Sequence, residues 1–248
     1  MESAVKSVEE YRANLAAVNA NIAAAAERAG RDLSEIRLLP VSKTIPEEGL
    51  RNAIAAGMHR LGENKVQEAK RKWQNLADLE VEWAVIGHLQ RNKAKDVAEF
   101  ASEFQALDSD RLAETLDRRL QSLGRSLDVY VQVNTSGEES KFGLTPDAAV
   151  DFIKTLPQYS ALRVRGLMTL AIFSSDTERV RECFRVLRTV RDRVRDIDAD
   201  LLGPAELSMG MSGDYEVAIE EGANCVRVGT AIFGKRNVSD ATWWPGVS

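Results

Sequence analysis

The stretch ELSMGMSGDYEVAIEEGANCVRVGTAIFG, residues 206–234, decides the fold. ELSMGM reads as a short apolar strand and NCVRVGTAIFG as a second strand with its turn. SGDYEVAIEEG, between them, reads as a helix. Two strands joined through one helix lie parallel, because the helix carries the chain back to the edge where the first strand began.

Outward from this unit the same alternation fills the chain. The spacing predicts strands over 36–43, 59–63, 81–87, 103–108, 127–134 and 162–170. It predicts helices over 46–56, 64–77, 90–101, 109–124, 145–156 and 176–195, preceded by an N-terminal amphipathic helix over 7–29 that stops at Gly30. Thr145 followed by Pro146 is a helix-start signature, and Ser109 or Asp110 caps the helix after 103–108. In LDVYVQVN the apolar Leu127, Val129, Val131 and Val133 alternate with polar or aromatic residues; periodicity leaves open whether Tyr130 points into a barrel or out to a helix. About eight strand–helix units in roughly 220 residues fit a single (β/α)8 TIM-type barrel with an N-terminal helix. An open doubly wound sheet would carry a glycine-rich fingerprint after its first strand, where this chain has PVSKTIP. The expected organisation is one domain over residues 1–236 and a tail over 237–248, with Trp243 and Trp244 either packed on the body or loose.

Composition narrows the function. The 248 residues are 44% apolar and 29% charged with a net charge of -5, as in a soluble globular protein with no call on nucleic acid or an anionic membrane. No apolar run reaches the length of a membrane span, and the N-terminus lacks the pattern of a signal peptide. Two cysteines, Cys183 and Cys225, point to a reduced, cytoplasmic protein, and His59 and His88 have no metal-ligand spacing. The charged face over 177–195 is expected to be solvated.

In a barrel, chemistry sits where strands end. The first strand ends at Lys43, in LLPVSKTIP: either a solvated lysine at a strand end or an amine set to form a Schiff base. Ser212 is expected to open a helix whose free amides face outward, and Gly229 with Thr230 adds a close backbone approach and a hydroxyl. These come from the seventh and eighth strands, the usual place of a barrel phosphate site. A phosphate site sharing a mouth with a lysine fits a Schiff-base aldolase or a pyridoxal phosphate protein. Arg227, two positions before Gly229, favours the second, since it could donate to a pyridine nitrogen; the alternative is an ion pair with Glu206 or Asp214.

The segments VSKT, LGENKVQE, IGHLQRNK, QVNTSGEESKFGL, RGLMTL, LSMGMSGDYEVAIEEG and VRVGTAIFG occur in this order from about residue 8 to 236. Through them the chain resembles the YggS/PROSC family of pyridoxal phosphate homeostasis proteins. It departs from the usual pattern at Lys65, Ala84 and Val228, where tyrosine, histidine and isoleucine are common. The resemblance implies a barrel like the N-terminal domain of alanine racemase and other fold-type III enzymes. It implies that Lys43 carries pyridoxal phosphate as a Schiff base and that Arg227 faces the pyridine nitrogen. Ser212, Gly229 and Thr230 would hold the phosphate, Met211 and Gly210 would shape the loop, and Asn64 and Met168 would line the pocket. Lys141 matches a loop lysine of the family. The implied role is vitamin B6 homeostasis without established turnover, in a cytoplasmic monomer that serves apo-enzymes. A racemase is the alternative, but its second acid–base tyrosine has no obvious counterpart among Tyr11, Tyr130, Tyr159 and Tyr215. An aldolase of this fold would use a lysine from a later strand and leaves Arg227 without a role.

Overall fold

The computed structural model describes residues 5–138 and 140–234, so the expected tail lies outside the described residues. Strands and helices alternate as the sequence spacing requires. After α1 (Val8–Arg28) come β1 (Arg37–Pro40), α2 (Glu47–Ala55), β2 (Arg60–Glu63), α3 (Val66–Asn75), β3 (Glu82–Val85) and α4 (Ala94–Phe100). The chain continues through β4 (Glu103–Leu107), α5 (Asp110–Ser122), β5 (Leu127–Gln132), α6 (Pro146–Thr155) and β6 (Leu162–Met168). It ends with α7 (Thr177–Ile197), β7 (Glu206–Ser208), α8 (Tyr215–Glu220), β8 (Cys225–Val228) and α9 (Thr230–Phe233).

Local chemistry sets several of these boundaries. Ser7 and Glu10 form a reciprocal capping box at the start of α1. Thr145 accepts the Ala148 amide with Pro146 in the first turn of α6, so two unpaired amide positions are dealt with at once. Asp176 accepts from Glu178 and Arg179 at the start of α7. No helix among the described residues is long and apolar enough to cross a membrane.

The eight strands form one parallel sheet in the order β1-β8-β7-β6-β5-β4-β3-β2. Closure between β1 and β2 rests on the bridge Val41 to Gly62 and the bond from the Ser42 amide to the Gly62 carbonyl, 3.0 Å. In a parallel strand successive amides point to opposite neighbours. Val41 donates to Val228 on β8 and Ser42 to β2, so position 40 belongs to the β2 side. Pro40 has no amide to give there, and the seam is stitched only at its mouth end.

The main apolar core lies between sheet and helices and includes Phe104, Phe184, Leu116 and Leu120. Inside the barrel the separate apolar cluster is small: Leu39, Ala84 and Cys225, with Ile86 against it. Glu103, Gln105, Ser208 and Arg227 are also buried there in place of the branched aliphatics that usually fill such barrels. Tyr130 joins them, with its hydroxyl bonded to Arg37 and Glu206, which settles its direction as inward. The arginine face of α7 is less solvated than expected: Arg181, Arg185 and Arg188 all pair with the buried Glu221 beside α8.

Candidate functional site

Lys43 follows β1 at the mouth and is 5% exposed, so the solvated reading of this strand-end lysine is overturned. It occupies the second position of a turn closed by the Ile45 amide on the Ser42 carbonyl, 3.1 Å. Beneath that turn lies a fully buried lysine, Lys72 of α3. Its ammonium donates to the Ser42 carbonyl at 2.9 Å, to Glu63 Oε1 at 2.7 Å and to Glu68 Oε1 at 2.7 Å. Ser42 Oγ donates to the same Glu63 oxygen at 2.6 Å. Burial pushes the Glu63 carboxyl up, against the opposing charge of Lys72. A cleft of about 930 Å³ borders the outer side of this turn, lined by Thr44, Lys65, Glu68 and Arg71 among others.

Arg227 sits on β8, the strand paired with β1, opposite Leu39. It is 2% exposed and makes neither of the ion pairs considered from sequence; Nη1 donates to Ser208 Oγ at 2.6 Å and Nη2 to the Thr169 carbonyl at 2.7 Å. Ser208 passes its own proton to Gln105 Oε1 at 2.7 Å, and Gln105 Nε2 donates to Glu103 Oε1 at 2.5 Å. Arg37 closes the chain on Glu103 Oε2 at 2.7 Å. The chain of donors from Arg227 Nη1 through Ser208 and Gln105 therefore leads to one carboxylate, while Nη2 is held by the Thr169 carbonyl, which together fix the guanidinium plane with its charge answered at a distance. Burial pulls the Arg227 guanidinium below its ordinary value.

The loop after β7 differs from its sequence expectation. Helix α8 begins at Tyr215, three residues later than Ser212, and the Met211 amide is taken by Asp214 Oδ1 at 2.5 Å. Ser212 therefore does not cap this helix. Its Oγ reaches across to β8 and accepts the Gly229 amide at 3.2 Å and the Ala231 amide at 3.5 Å. Ser212, Gly229 and Thr230 are thus brought together, by a cross-loop hydrogen bond rather than by a shared helix start. Gly210 makes the loop possible: its φ is +94°, and a Cβ there would sit 2.6 Å from that of Ala218.

Asn64 follows β2 and is half-buried; a Cβ on Gly87 would come 2.2 Å from its carbonyl oxygen, so the end of β3 crosses directly over it. Met168 is fully buried at the end of β6, and its register partners are Gln132 and Ser208. Gln132 Oε1 is buried and accepts no hydrogen bond, a vacant acceptor level with Met168. Met211 is half-buried in the loop that holds Ser212. Lys141 stands apart from this cluster in its bonding: it pairs with Glu138 and donates to the Ala171 carbonyl at 3.2 Å. At the rim, the His88 ring stacks on Phe142 with centroids 3.9 Å apart, and His88 Nδ1 lies 3.6 Å from Asp108.

Ser208, Gln105, Glu68 and Lys72 escaped the sequence reading, and Glu63 was legible only as a residue at the end of the second strand. Polar residues inside apolar strands, as in EFQAL and ELS, were the only signal of Gln105 and Ser208, and Glu68 and Lys72 lie on a charged helix where nothing in the sequence sets them apart. Among the described residues no cluster of His, Cys, Asp and Glu is arranged to hold a metal.

The sequence pattern of the family described as alanine racemase, N-terminal domain, matches residues 13–237. A pyridoxal phosphate homeostasis protein of Aquifex aeolicus is 40% identical over 223 residues, covering 90% of this chain and 96% of that protein. The structure of PipY of Synechococcus elongatus with PLP bound superposes with a TM-score of 0.79 at 35% identity, covering 90% of this chain and 100% of that one. An alanine racemase of Clostridium difficile gives a TM-score of 0.73 at 18% identity, covering 94% of this chain and 58% of that one, and shares the fold.

Proposed function

Because the chain belongs to the pyridoxal phosphate homeostasis proteins, within the alanine racemase N-terminal domain family, we propose that it binds pyridoxal 5′-phosphate at the barrel mouth and serves cofactor homeostasis. The observation that carries the site is that Lys43, in the turn that follows β1, and Arg227, on the neighbouring β8, are both buried. When bound, this cofactor supplies an aldehyde that condenses with a primary amine, forming a carbon–nitrogen double bond and releasing one water.

The residues present fit such a group. Lys43 is the amine for that bond. Arg227 can only donate, so facing a ring nitrogen it leaves that nitrogen without a proton and weakens the ring as an electron sink. Ser212 and Thr230 offer hydroxyl donors to a phosphate beside Gly229, whose amide here donates to Ser212 Oγ. The vacant Gln132 oxygen offers an acceptor to a hydroxyl, and Asn64 and Met168 form the walls.

Holding rather than turnover is supported by the tyrosines. Tyr130 is bonded inside the barrel to Arg37 and Glu206, and Tyr11 packs edge-on against Phe233. Tyr215 accepts from Asn21, and Tyr159 bonds Asp110. Each is engaged by these other residues of the fold, which supports the reading that they do not supply a second acid–base group for racemisation. Delivery to apo-enzymes by a cytoplasmic monomer belongs to the same proposal. The rim offers a face for it, with Phe142 54% and Phe173 78% exposed.

The test is a near-visible absorbance spectrum of the purified protein, followed by borohydride reduction and peptide mass mapping. A yellow protein that traps a phosphopyridoxyl group on Lys43 is the expected result. A protein that stays colourless and unmodified after incubation with pyridoxal phosphate overturns the proposal.

A further inference from the structure

We propose that Glu68 and Lys72 are positioning residues that hold the turn Ser42–Ile45 in the conformation presenting Lys43, an inference that rests on the cofactor role of Lys43 given above. Thr44 carries the argument. Its φ is +69°, in the left-handed region, and it is one of two non-glycine residues with positive φ among the described residues. It occupies the third position of the turn, where a positive φ normally calls for glycine or asparagine. A β-branched residue there is strained and persists only where its surroundings over-determine it.

The surroundings do so from both sides of Lys43. On the C-terminal side, the Thr44 amide donates to Glu68 Oε1 at 2.7 Å. On the N-terminal side, the Ser42 carbonyl accepts from Lys72 Nζ at 2.9 Å and the Ser42 amide donates to Gly62. Lys72 joins the two arms, because it also donates to Glu68 Oε1 and to Glu63 Oε1. Glu68 and Lys72 stand four residues apart on α3, one turn of helix, so a single rigid element grips both peptide units that flank Lys43. The strand alone could not do this, since β1 ends at Pro40. The Glu68 and Lys72 bonds to these peptide units both come from charged side chains, and charged partners give the stronger hydrogen bonds.

Such a clasp would act on how readily the Lys43 amine reaches an aldehyde, not on how the phosphate and ring are bound. The experiment measures the rate of bond formation at Lys43 from the growth of the near-visible band after mixing with pyridoxal phosphate. The affinity for pyridoxine 5′-phosphate, which has no aldehyde, is measured in parallel. Glu68 is partly solvated, so its variants can be expected to fold. Glu68→Ala should slow bond formation about tenfold, the rate equivalent of one charge-assisted hydrogen bond. It should leave pyridoxine 5′-phosphate affinity within about twofold. Glu68→Gln retains an acceptor and should stay within about threefold of the parent rate. Thr44→Gly makes the positive φ free of strain, so Thr44→Gly with Glu68→Ala should recover most of the lost rate.

An unchanged rate in Glu68→Ala overturns the inference. So does an equal fall in pyridoxine 5′-phosphate affinity, or the same loss with Gly at position 44. Failure of the parent protein to form any Lys43 adduct instead overturns the cofactor role itself, and the two failures are told apart by the unsubstituted protein alone.

Discussion

Arg227 and Ser208 meet through a 2.6 Å hydrogen bond inside the barrel, and neither residue has more than 2% of its surface exposed. The serine accepts from the guanidinium and donates onward to Gln105, so it is the joint between the mouth and the buried carboxylate of Glu103. Ser208→Ala would leave a guanidinium N–H and the Gln105 oxygen without their partner. A loss of about 1–3 kcal/mol in urea unfolding is expected, together with weaker cofactor retention. Unchanged stability and retention would show that water replaces the hydroxyl at no cost.

Lys72 and Glu63 form an ion pair with both side chains fully buried, 2.7 Å apart. Lys72→Met leaves Glu63 as an uncompensated buried carboxylate and should cost about 3–5 kcal/mol. Adding Glu63→Gln removes that charge and should recover part of the loss. If the double variant is no more stable than Lys72→Met, the penalty is lost packing rather than unpaired charge.

The cross-loop bond of Ser212 to Gly229 joins the two loops proposed to hold phosphate. Ser212→Ala should weaken pyridoxal phosphate binding about fivefold, as for one ordinary hydrogen bond. Binding of pyridoxal, which has no phosphate, should be unaffected. Equal losses for both ligands would remove Ser212 from the phosphate site.

Gly210 combines positive φ with a neighbour, Ala218, that leaves no room for a methyl group. Gly210→Ala should destabilise the protein by about 1–3 kcal/mol and displace the Ser212 loop. A thermal unfolding midpoint equal to the parent's would contradict the close approach.

Burial holds the Asp214 carboxyl above its ordinary value of 3.8, against the Met211 amide and the charge of Arg227, which pull it down. The folded protein therefore binds this proton more tightly than the unfolded chain does. The resulting stability is fully present below the unfolded value and is lost as pH rises through the raised folded value. Asp214→Asn lacks this dependence. Denaturant titrations of both proteins should show the parent losing stability relative to the variant as pH rises from about 4. A relative stability that climbs with pH would reverse the assignment.

The order and type of the elements were legible because each depends on residues near one another in the chain. Thr145 with Pro146 marks α6, and the apolar alternation of Leu127, Val129 and Val131 marks β5. Eight such units leave few arrangements other than a barrel, so Lys43, Asn64, Met168 and Arg227 are placed at or near strand ends by the sequence itself. The start of α8 differs because Asp214, rather than Ser212, occupies the cap position, and Ser212 Oγ accepts instead the amide of Gly229, 17 residues away at the end of β8.

Sequence alone thus pointed to the barrel and placed Lys43 and Arg227 at or near its strand ends, through local periodicity and short-range signals. Tertiary structure decided what holds those two residues: Ser208 and Gln105 for Arg227, and Glu68 and Lys72 for the turn at Lys43. The reason is physical. A buried charge is stable only with specific partners, and here those partners meet across strands and helices, with Gln105 and Ser208 separated by 103 positions. Their pairing exists only once the sheet has curled nearly shut and brought β4 and β7 to face each other through the barrel interior.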